Sequence, residues 1–214
     1  MDFNWGFLQS LTDTVKLLRD KMELVFIEDK TFDNCDFTRG PFTKGEFENC
    51  TFNDCNFSNA NFTEIKFVDC AFFGCNLSLV NLTKTAFRGI KFRDCKMLGI
   101  HFENCNQFGL AFSIDNCNLT HSSFFKTKLK KTVFRKSQLH EVDFVECDLT
   151  SCVFDHCDLT GAIFENTVIE QADFRTSFNY SFDPEINRIK KAKFSLPAVV
   201  GLLNKYDIEI DWAQ

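Results

Sequence analysis

The eleven cysteines are the residues of this 214-residue chain that first suggest chemistry. Spacings such as Cys50, Cys55, Cys70 and Cys75 resemble a ligand set, but a zinc site brings four ligands to one point, usually from close pairs joined by loops. Here every cysteine stands two residues before a position in one five-residue register. This placement favours a packing role, with cysteine acting as a small apolar side chain, and we predict neither a metal site nor disulfides.

Other catalytic patterns are not found in the sequence. His101, His121, His140 and His156 fall at positions expected to face outward and are not clustered. There is no Ser–His–Asp arrangement, glycine-rich phosphate loop or HExxH motif. A core packed with phenylalanine would leave no cavity of substrate size. We therefore expect no enzyme activity, no cofactor and no small-molecule substrate.

The register that positions the cysteines is occupied mostly by phenylalanine, which supplies 28 residues of the chain. A small residue usually lies two positions before each central Phe or Leu, Asp or Asn often lies one before, and Thr or Ser often lies one after. A period of five matches neither the 3.6-residue period of a helix nor the two-residue period of a strand. It requires a backbone that turns a corner every five residues, with one large and one small side chain pointing inward. The central residues run from Phe32 in steps of five to Phe102, and again from Leu119 to Phe174.

This pattern resembles the consensus of the pentapeptide-repeat family, which CDFTR (35–39), CNFSN (55–59), ANFTE (60–64) and CDLTG (157–161) match directly. The resemblance implies an all-β fold, a right-handed quadrilateral parallel β-helix with twenty residues per coil. Residues twenty apart should stack at the strand spacing of about 4.8 Å, giving about seven coils and a rod of roughly 35 Å. Cys35, Cys55, Cys75 and Cys95 should form one ladder. Phe124, Phe144 and Phe164 should face Phe134, Phe154 and Phe174 across the core.

Three segments are expected. Residues 1–24 lie outside the register, and Leu11, Val15, Leu18 and Met22 have helical spacing. Residues 25–176 form the repeat, with a register slip near 105–117 that we place between Phe112 and Leu119. The slip is either a packing irregularity or a protruding recognition loop. The candidate loop residues are Gln107, Phe108, Gly109, Ile114 and Asp115.

Residues 177–214 leave the consensus and are expected to cap the open end of the solenoid. Ser195 is a candidate N-cap for a short helix with Pro197 in its first turn. The DIEIDW stretch (207–212) alternates and suggests a last short strand. A capping helix with surplus apolar residues would also provide a dimer surface.

The bulk properties limit the partners. The net charge of −6 argues against direct nucleic-acid binding, which needs basic residues to neutralise phosphates. No apolar run approaches the roughly 20 residues that span a bilayer, so we expect no membrane contact. An odd number of cysteines without a signal-peptide pattern favours a cytoplasmic location.

Charge is segregated along the second half of the repeat. Between Ser137 and Phe174 there is no Lys or Arg, whereas residues 126–136 contain six basic residues and no acid. The acids are either an ordinary solvated surface, in part bonded to corner amides, or an anionic surface for a basic groove. The nine acids are Glu141, Asp143, Glu146, Asp148, Asp155, Asp158, Glu165, Glu170 and Asp173.

Within the pentapeptide-repeat family, one branch contains quinolone-resistance, mycobacterial fluoroquinolone-resistance and albicidin-immunity proteins. CNLSLV (75–80), FRDCKMLGI (92–100) and KKAKFSLPAVVGLLNKYDIEI (190–210) resemble this branch. The resemblance implies a DNA-mimicking homodimer that binds DNA gyrase or topoisomerase IV and protects it from drugs or toxins. It places Leu196, Val199, Leu202 and Leu203 at the dimer contact. The longer loops of some members are missing here. The alternative is a scaffold rod with an unidentified protein partner.

Overall fold

The computed structural model describes residues 25–40 and 42–211, so the helical spacing expected in residues 1–24 lies outside the described residues. The chain forms an all-β parallel solenoid built from short strands. None of its described helices is long and apolar enough to cross a membrane. The strands are β1 (Val25–Glu28), β2 (Thr31–Asp33), β3 (Gly45–Glu48), β4 (Thr51–Asn53), β5 (Lys66–Val68), β6 (Ala71–Phe73), β7 (Ala86–Arg88), β8 (Ile90–Arg93), β9 (Phe112–Asp115), β10 (Val133–Arg135) and β11 (Val153–Asp155).

Each coil has four faces, which we number I to IV in chain order. Face I carries the four-stranded sheet β1-β3-β5-β7, and face II carries the seven-stranded sheet β2-β4-β6-β8-β9-β10-β11. Faces III and IV are held by isolated parallel bridges such as Asn56↔Asn76 and Asn61↔Asn81. Phe32 pairs with Phe52, and Phe52 pairs with Phe72. The predicted quadrilateral parallel β-helix, with residues twenty apart in register, is confirmed.

The corners follow from local backbone chemistry. The residue two after a central Phe or Leu has a left-handed conformation, as at Asn34 (φ 53°) and Asp54 (φ 50°). Asn and Asp tolerate this region better than most residues do. At many corners the side chain just before the central residue accepts a hydrogen bond from the amide two residues later, for example from Thr38 to Asp36 at 3.0 Å. The Asp and Asn enrichment in the register therefore has a structural cause.

Stacked aromatic rings fill the centre of the rod. Phe124 lies over Phe144 with ring centroids 5.3 Å apart and planes 6° from parallel. Across the core, Phe124 meets Phe134 edge to face at 5.9 Å, and Phe144 meets Phe154 in the same way at 5.9 Å. These offset and edge-to-face geometries are the ones that aromatic rings prefer. The predicted opposition of two phenylalanine columns is confirmed.

The cysteines line the interior, and ten of the eleven are buried as free thiols, while Cys35 is half-buried. The predicted ladder from Cys35 to Cys95 forms on one corner and extends to Cys117, whose sulfur lies 3.4 Å from the Cys95 amide nitrogen. Burial raises the pKa of the Cys70 thiol to about 12 and that of Cys147 to about 12. Buried thiols of this kind stay protonated and unreactive near neutral pH.

The register slip lies earlier than the sequence suggested. Ile90 pairs with Phe112 and Phe92 with Ile114, so the offset between coils rises to 22 residues, as in the Asn116–Asp94 bond. Asn106 still bonds back to Thr85 at 2.8 Å, so the two extra residues fall between Asn106 and Phe112, rather than between Phe112 and Leu119. Ile114 is the true central residue, and the ring of Phe112 enters the core from a small-residue position, 5.3 Å from Phe102.

The coil continues beyond the end of the consensus. Asp173 bridges to Lys193, and the Phe182 amide bonds to the Gly201 carbonyl at 3.3 Å. A Cβ at Gly201 would collide with the Tyr180 carbonyl, so this close approach requires glycine.

The C-terminal helix expected in the sequence is present only as two 3-10 turns, Val199–Leu202 and Asn204–Tyr206. The first turn is preceded by Ala198 with no side-chain cap, so Ser195 is not its N-cap. Residues 207–211 form no strand.

Thiol titration of the native protein should distinguish Cys35 from the other cysteines. Ellman's reagent should modify at most Cys35 rapidly at neutral pH, because the remaining ten thiols are buried. All eleven should react after denaturation. Rapid reaction of most thiols in the native protein would contradict the packed interior.

Substitution of Asp158 should change the acid sensitivity of the rod. Burial alone would raise the pKa of this carboxyl, but contacts from Thr160, Asn179 and His140 outweigh burial and lower the pKa to about 2. A lowered pKa stabilises the folded state above the carboxyl's ordinary pKa near 4, and this stabilisation is lost as the pH falls toward 2.

Asp158→Asn should lose about 1–2 kcal/mol of unfolding free energy at neutral pH and show a shallower decline in melting temperature below about pH 4. Thermal melts followed by circular dichroism at a series of pH values measure both effects. Glu209→Gln, which removes an exposed carboxylate with no ion pair among the described residues, is the matched control. Identical pH profiles for Asp158→Asn and the wild type would exclude this role.

Candidate interaction surface

The nine acids selected from the sequence do not converge on one surface. The five-residue register distributes them over all four faces and two corners. Asp148 and Glu170 lie on face I, Asp155 and Asp173 on face II, Asp158 on face III, Asp143 and Glu165 on face IV, and Glu141 and Glu146 at the two corners that flank face IV.

Most of these acids are paired with bases from a neighbouring coil. The basic run at 126–136 lies one coil before the acidic stretch, so Lys126 lies 3.4 Å from Glu146, and Arg135 lies 3.1 Å from Asp155. From the following coil, Arg188 reaches Glu170 at 2.7 Å. Exposed ion pairs of this kind contribute only about 0–1 kcal/mol each, but they neutralise the local charge. Basic and acidic residues that are separated along the sequence therefore alternate on the surface of the folded rod.

Face IV differs from the other three faces. Among the described residues, its outward positions from Asn61 to Glu165 include no Lys or Arg. These positions are Asn61, Thr63, Asn81, Thr83, His101, Glu103, Ser123, Phe125, Asp143, Val145, Ile163 and Glu165.

Two of the face IV carboxylates, those of Asp143 and Glu165, make no ion pair with any described residue. Asp143 accepts a hydrogen bond from the Val145 amide at 2.8 Å. The sequence pattern identified both acids, but it did not show that they share a face whose outward positions carry no Lys or Arg.

A shallow groove of about 540 Å³ lies along this face and its corner with face III. It is lined by His101, Glu103, His121, Ser122, Ser123, Phe125, Glu141 and Asp143. His101 Nδ1 lies 2.8 Å from Glu103 Oε1, and His121 Nδ1 lies 3.3 Å from Glu141 Oε2. Within residues 25–40 and 42–211, no three His, Cys, Asp or Glu side chains are placed to hold a metal ion. The groove presents an open polar surface rather than an enclosed chamber.

The interior offers very little space. A cavity of about 10 Å³ lies where Leu77, Leu82 and Met97 replace phenylalanine in the core. That volume is about the minimum needed for one water molecule.

The candidate loop is shorter than expected. Ile114 is buried in the core, and Asp115 ends strand β9 with its carboxylate 3.4 Å from Arg93. Neither residue belongs to the loop. The protruding part is 107–110, where Phe108 is 79% exposed. The sequence does not separate these residues, because Phe112 lies ten residues after Phe102 and so places the two extra residues too late in the chain.

The four residues expected at the dimer contact differ in how far they are exposed. Leu196 is 81% exposed, whereas Leu202 is buried in its own coil and Val199 packs against the core. Leu203 is half-buried. Leu202 is therefore unavailable to a partner in this conformation. Sequence reasoning missed other exposed apolar residues near this end, namely Ile186, Tyr206, Ile208 and Ile210.

Comparison with solved structures finds other proteins of low sequence identity. The chain is similar to a trypsin-treated variant of QnrB1, a plasmid-mediated fluoroquinolone resistance protein, with a TM-score of 0.47, 21% identity, and coverage of 87% of this chain and 100% of that chain. The chain is also similar to full-length QnrB1, with a TM-score of 0.36, 22% identity, and coverage of 86% of this chain and 100% of that chain. A third similar structure is HetL, a pentapeptide repeat protein involved in heterocyst differentiation regulation from the cyanobacterium Nostoc sp. strain PCC 7120. Its TM-score is 0.34 and its identity 10%, with coverage of 80% of this chain and 86% of that chain. No curated protein sequence matches the chain.

Family models match most of the solenoid. The model described as a pentapeptide repeat region matches residues 45–113. The model described as pentapeptide repeats (8 copies) matches residues 117–155 and 137–175. The matches cover both sides of the register slip and coincide with the coils described above. The chain therefore belongs to the pentapeptide-repeat family.

Proposed function

We propose that this protein is a non-catalytic interaction rod that binds DNA gyrase or topoisomerase IV at a surface that normally holds duplex DNA. By occupying that surface as a DNA mimic, it protects the enzyme from quinolone-type drugs or toxins, or modulates its activity. The proposed site of action is the cytoplasm, where these enzymes meet their DNA.

The observation that carries the proposal is that the outward positions of face IV between Asn61 and Glu165 contain no Lys or Arg. Lys126, at the corner with face I, lies over the Phe125 ring but pairs with Glu146. A basic groove that accepts DNA would be attracted by the carboxylates of Glu103, Asp143 and Glu165 and would meet no Lys or Arg between them at the outward positions of this face. Complementary charge accelerates encounter and selects orientation more than it adds affinity. A rod with a packed aromatic core presents these groups without the entropy loss of ordering a flexible segment.

The second support is the resemblance of residues 190–210 to the dimerising end of the drug-protection branch. Leu196, Ile208 and Ile210 are exposed near that end of the rod. We include a homodimer through this segment in the proposal, because apolar side chains that remain exposed on a monomer commonly mark a contact surface.

The competing candidate is a scaffold rod with a different protein partner. The interleaved ion pairs favour it, because they leave most of the nine acids neutralised, as at Glu146 and Asp155. In that case the face IV carboxylates would serve only to keep the surface solvated.

A supercoiling assay with purified gyrase separates the two candidates. Titration of the protein, with and without ciprofloxacin, should change either supercoiling or drug inhibition at micromolar concentrations. The variant Asp143→Asn/Glu165→Gln should need about tenfold more protein for the same effect, since both unpaired charges of face IV are lost. Asparagine already occupies Asn61 and Asn81, the positions equivalent to Asp143, and Glu165 makes no ion pair with a described residue, so the fold should be retained.

The matched control is Glu28→Gln/Glu48→Gln, which removes two stacked charges from face I. It should retain wild-type potency. An equal loss in both variants would show that face IV is not the contact surface. If the wild-type protein leaves supercoiling and drug sensitivity unchanged, the topoisomerase proposal fails and the scaffold candidate remains.

The homodimer is tested by light scattering after size-exclusion chromatography. The wild-type protein should show twice its 24.8 kDa chain mass, and Leu196→Asp should shift it to the monomer mass by placing a charge at the contact. Phe108→Asp is the control, because Phe108 is nearly as exposed and lies on a different part of the rod. A wild-type protein with the mass of one chain would contradict the dimer.

A further inference from the structure

We propose that the protein has a second docking surface, on face I around the loop 107–110, for an acidic segment of a partner protein that carries an exposed apolar side chain. We call this surface the loop patch and define it by Arg88, Lys91, Phe108, Lys128 and Lys131. It lies on a different face from the carboxylates assigned to topoisomerase binding, so it goes beyond that function and does not depend on it.

Phe108 gives the loop patch an apolar anchor. Its ring is 79% exposed, and the guanidinium carbon of Arg88 lies 5.6 Å from the ring centre. A Cβ added to Gly109 would be 3.4 Å from Arg88 Nε, so the loop backbone packs closely on the arginine. Arg88 Nε is buried without a hydrogen-bond acceptor. The exposed aromatic ring thus lies against Arg88, and aromatic and arginine residues are the ones that dominate protein interfaces.

The positive charge around this ring is not neutralised. Arg88 lies on face I one coil before the loop, Lys128 and Lys131 lie one coil after it, and Lys91 lies just beyond the adjoining corner. None of these four makes an ion pair with a residue in the described ranges, although nearby Lys66, Lys84 and Lys130 do. In the corner column of Lys131, the next coils supply Ser151 and Gln171 rather than carboxylates.

The extent of the loop patch selects the class of partner. Glu46 and Glu48 bound it on one side of face I, and Asp148, which bridges to Lys128, bounds it on the other. At the corner between faces I and II, Asp69 lies under Gly89 and also borders the patch. From Arg88 to Lys128 the basic region spans about two coil spacings, or roughly 10 Å. A longer polyanion such as nucleic acid would extend over these acids, on a protein whose net charge is −6. A short acidic peptide segment places a few carboxylates against the lysines and one apolar side chain against Phe108. Such a segment is too short to extend over the bounding acids on face I.

Selection from a displayed library of short random peptides on the full-length protein tests this proposal. Peptides enriched on the wild type should carry Asp or Glu on both sides of an aromatic or aliphatic residue. The best fluorescently labelled peptide should bind about tenfold more weakly, by anisotropy, to Lys128→Glu/Lys131→Glu. Phe108→Ala should weaken it to a similar degree, and the exposure of this ring makes misfolding unexpected.

Lys190→Glu/Lys191→Glu is the matched control, since Lys191 has the same left-handed corner conformation as Lys131 and lies in the same corner column. It should bind the peptide within about twofold of the wild type. Circular dichroism melts check the fold of each variant, and Lys128→Gln/Lys131→Gln replaces the charge-reversed variant if that variant unfolds. Selected peptides without excess acid, an equal loss in the control, or tighter binding of single-stranded oligothymidylate than of the peptide would each overturn the proposal.

Discussion

The structure depends on one interaction, the parallel backbone hydrogen bond between coils twenty residues apart. The Asn76 amide bonds to the Cys55 carbonyl at 2.9 Å, and the same connection recurs along the rod. Because these bonds set the register, each side chain lies directly over its counterpart in the preceding coil. Stacked rings, aligned thiols and paired charges are all consequences of that superposition. A column of side chains, rather than a continuous segment of chain, is therefore the unit from which every surface of this molecule is built.

Surface charge shows why the column matters. Lys126 neutralises Glu146 because the two residues are twenty apart, whereas neighbours in the sequence face different directions. Total charge consequently says little about any one face. Face IV is distinctive because its outward positions between Asn61 and Glu165 contain no Lys or Arg. The loop patch is distinctive because its lysines have no acid above or below that pairs with them.

The sequence predicted the parts of the fold that follow strictly from the period. The coil, the phenylalanine columns and the cysteine ladder required only the spacing of five and its physical meaning. The register places the slip too late, because Phe112 lies ten residues after Phe102 and so has the spacing of a central residue. Only the pairing of Phe92 with Ile114 reveals which residue is central. The candidate surface was less predictable, because the offset between coils decides which charged residues share a face. That offset changes from 20 to 22 residues at the slip, and the sequence pattern does not show where.

The two additional residues at 107–110 also indicate how such a chain can gain residues in evolution while the rod keeps its stacking. Both ends of this segment are fixed, by Asn106 bonding to Thr85 and by Ala111 bonding to Phe87. The stacking of the coils on either side therefore does not depend on the residues that protrude between them. Since loop closure becomes only slowly more costly with length, this position on face I can accept a much longer insertion, even a small folded module, while the coils on either side remain stacked. The loop is therefore an insertion site, where new binding specificity can arise without changes to the packing of the core.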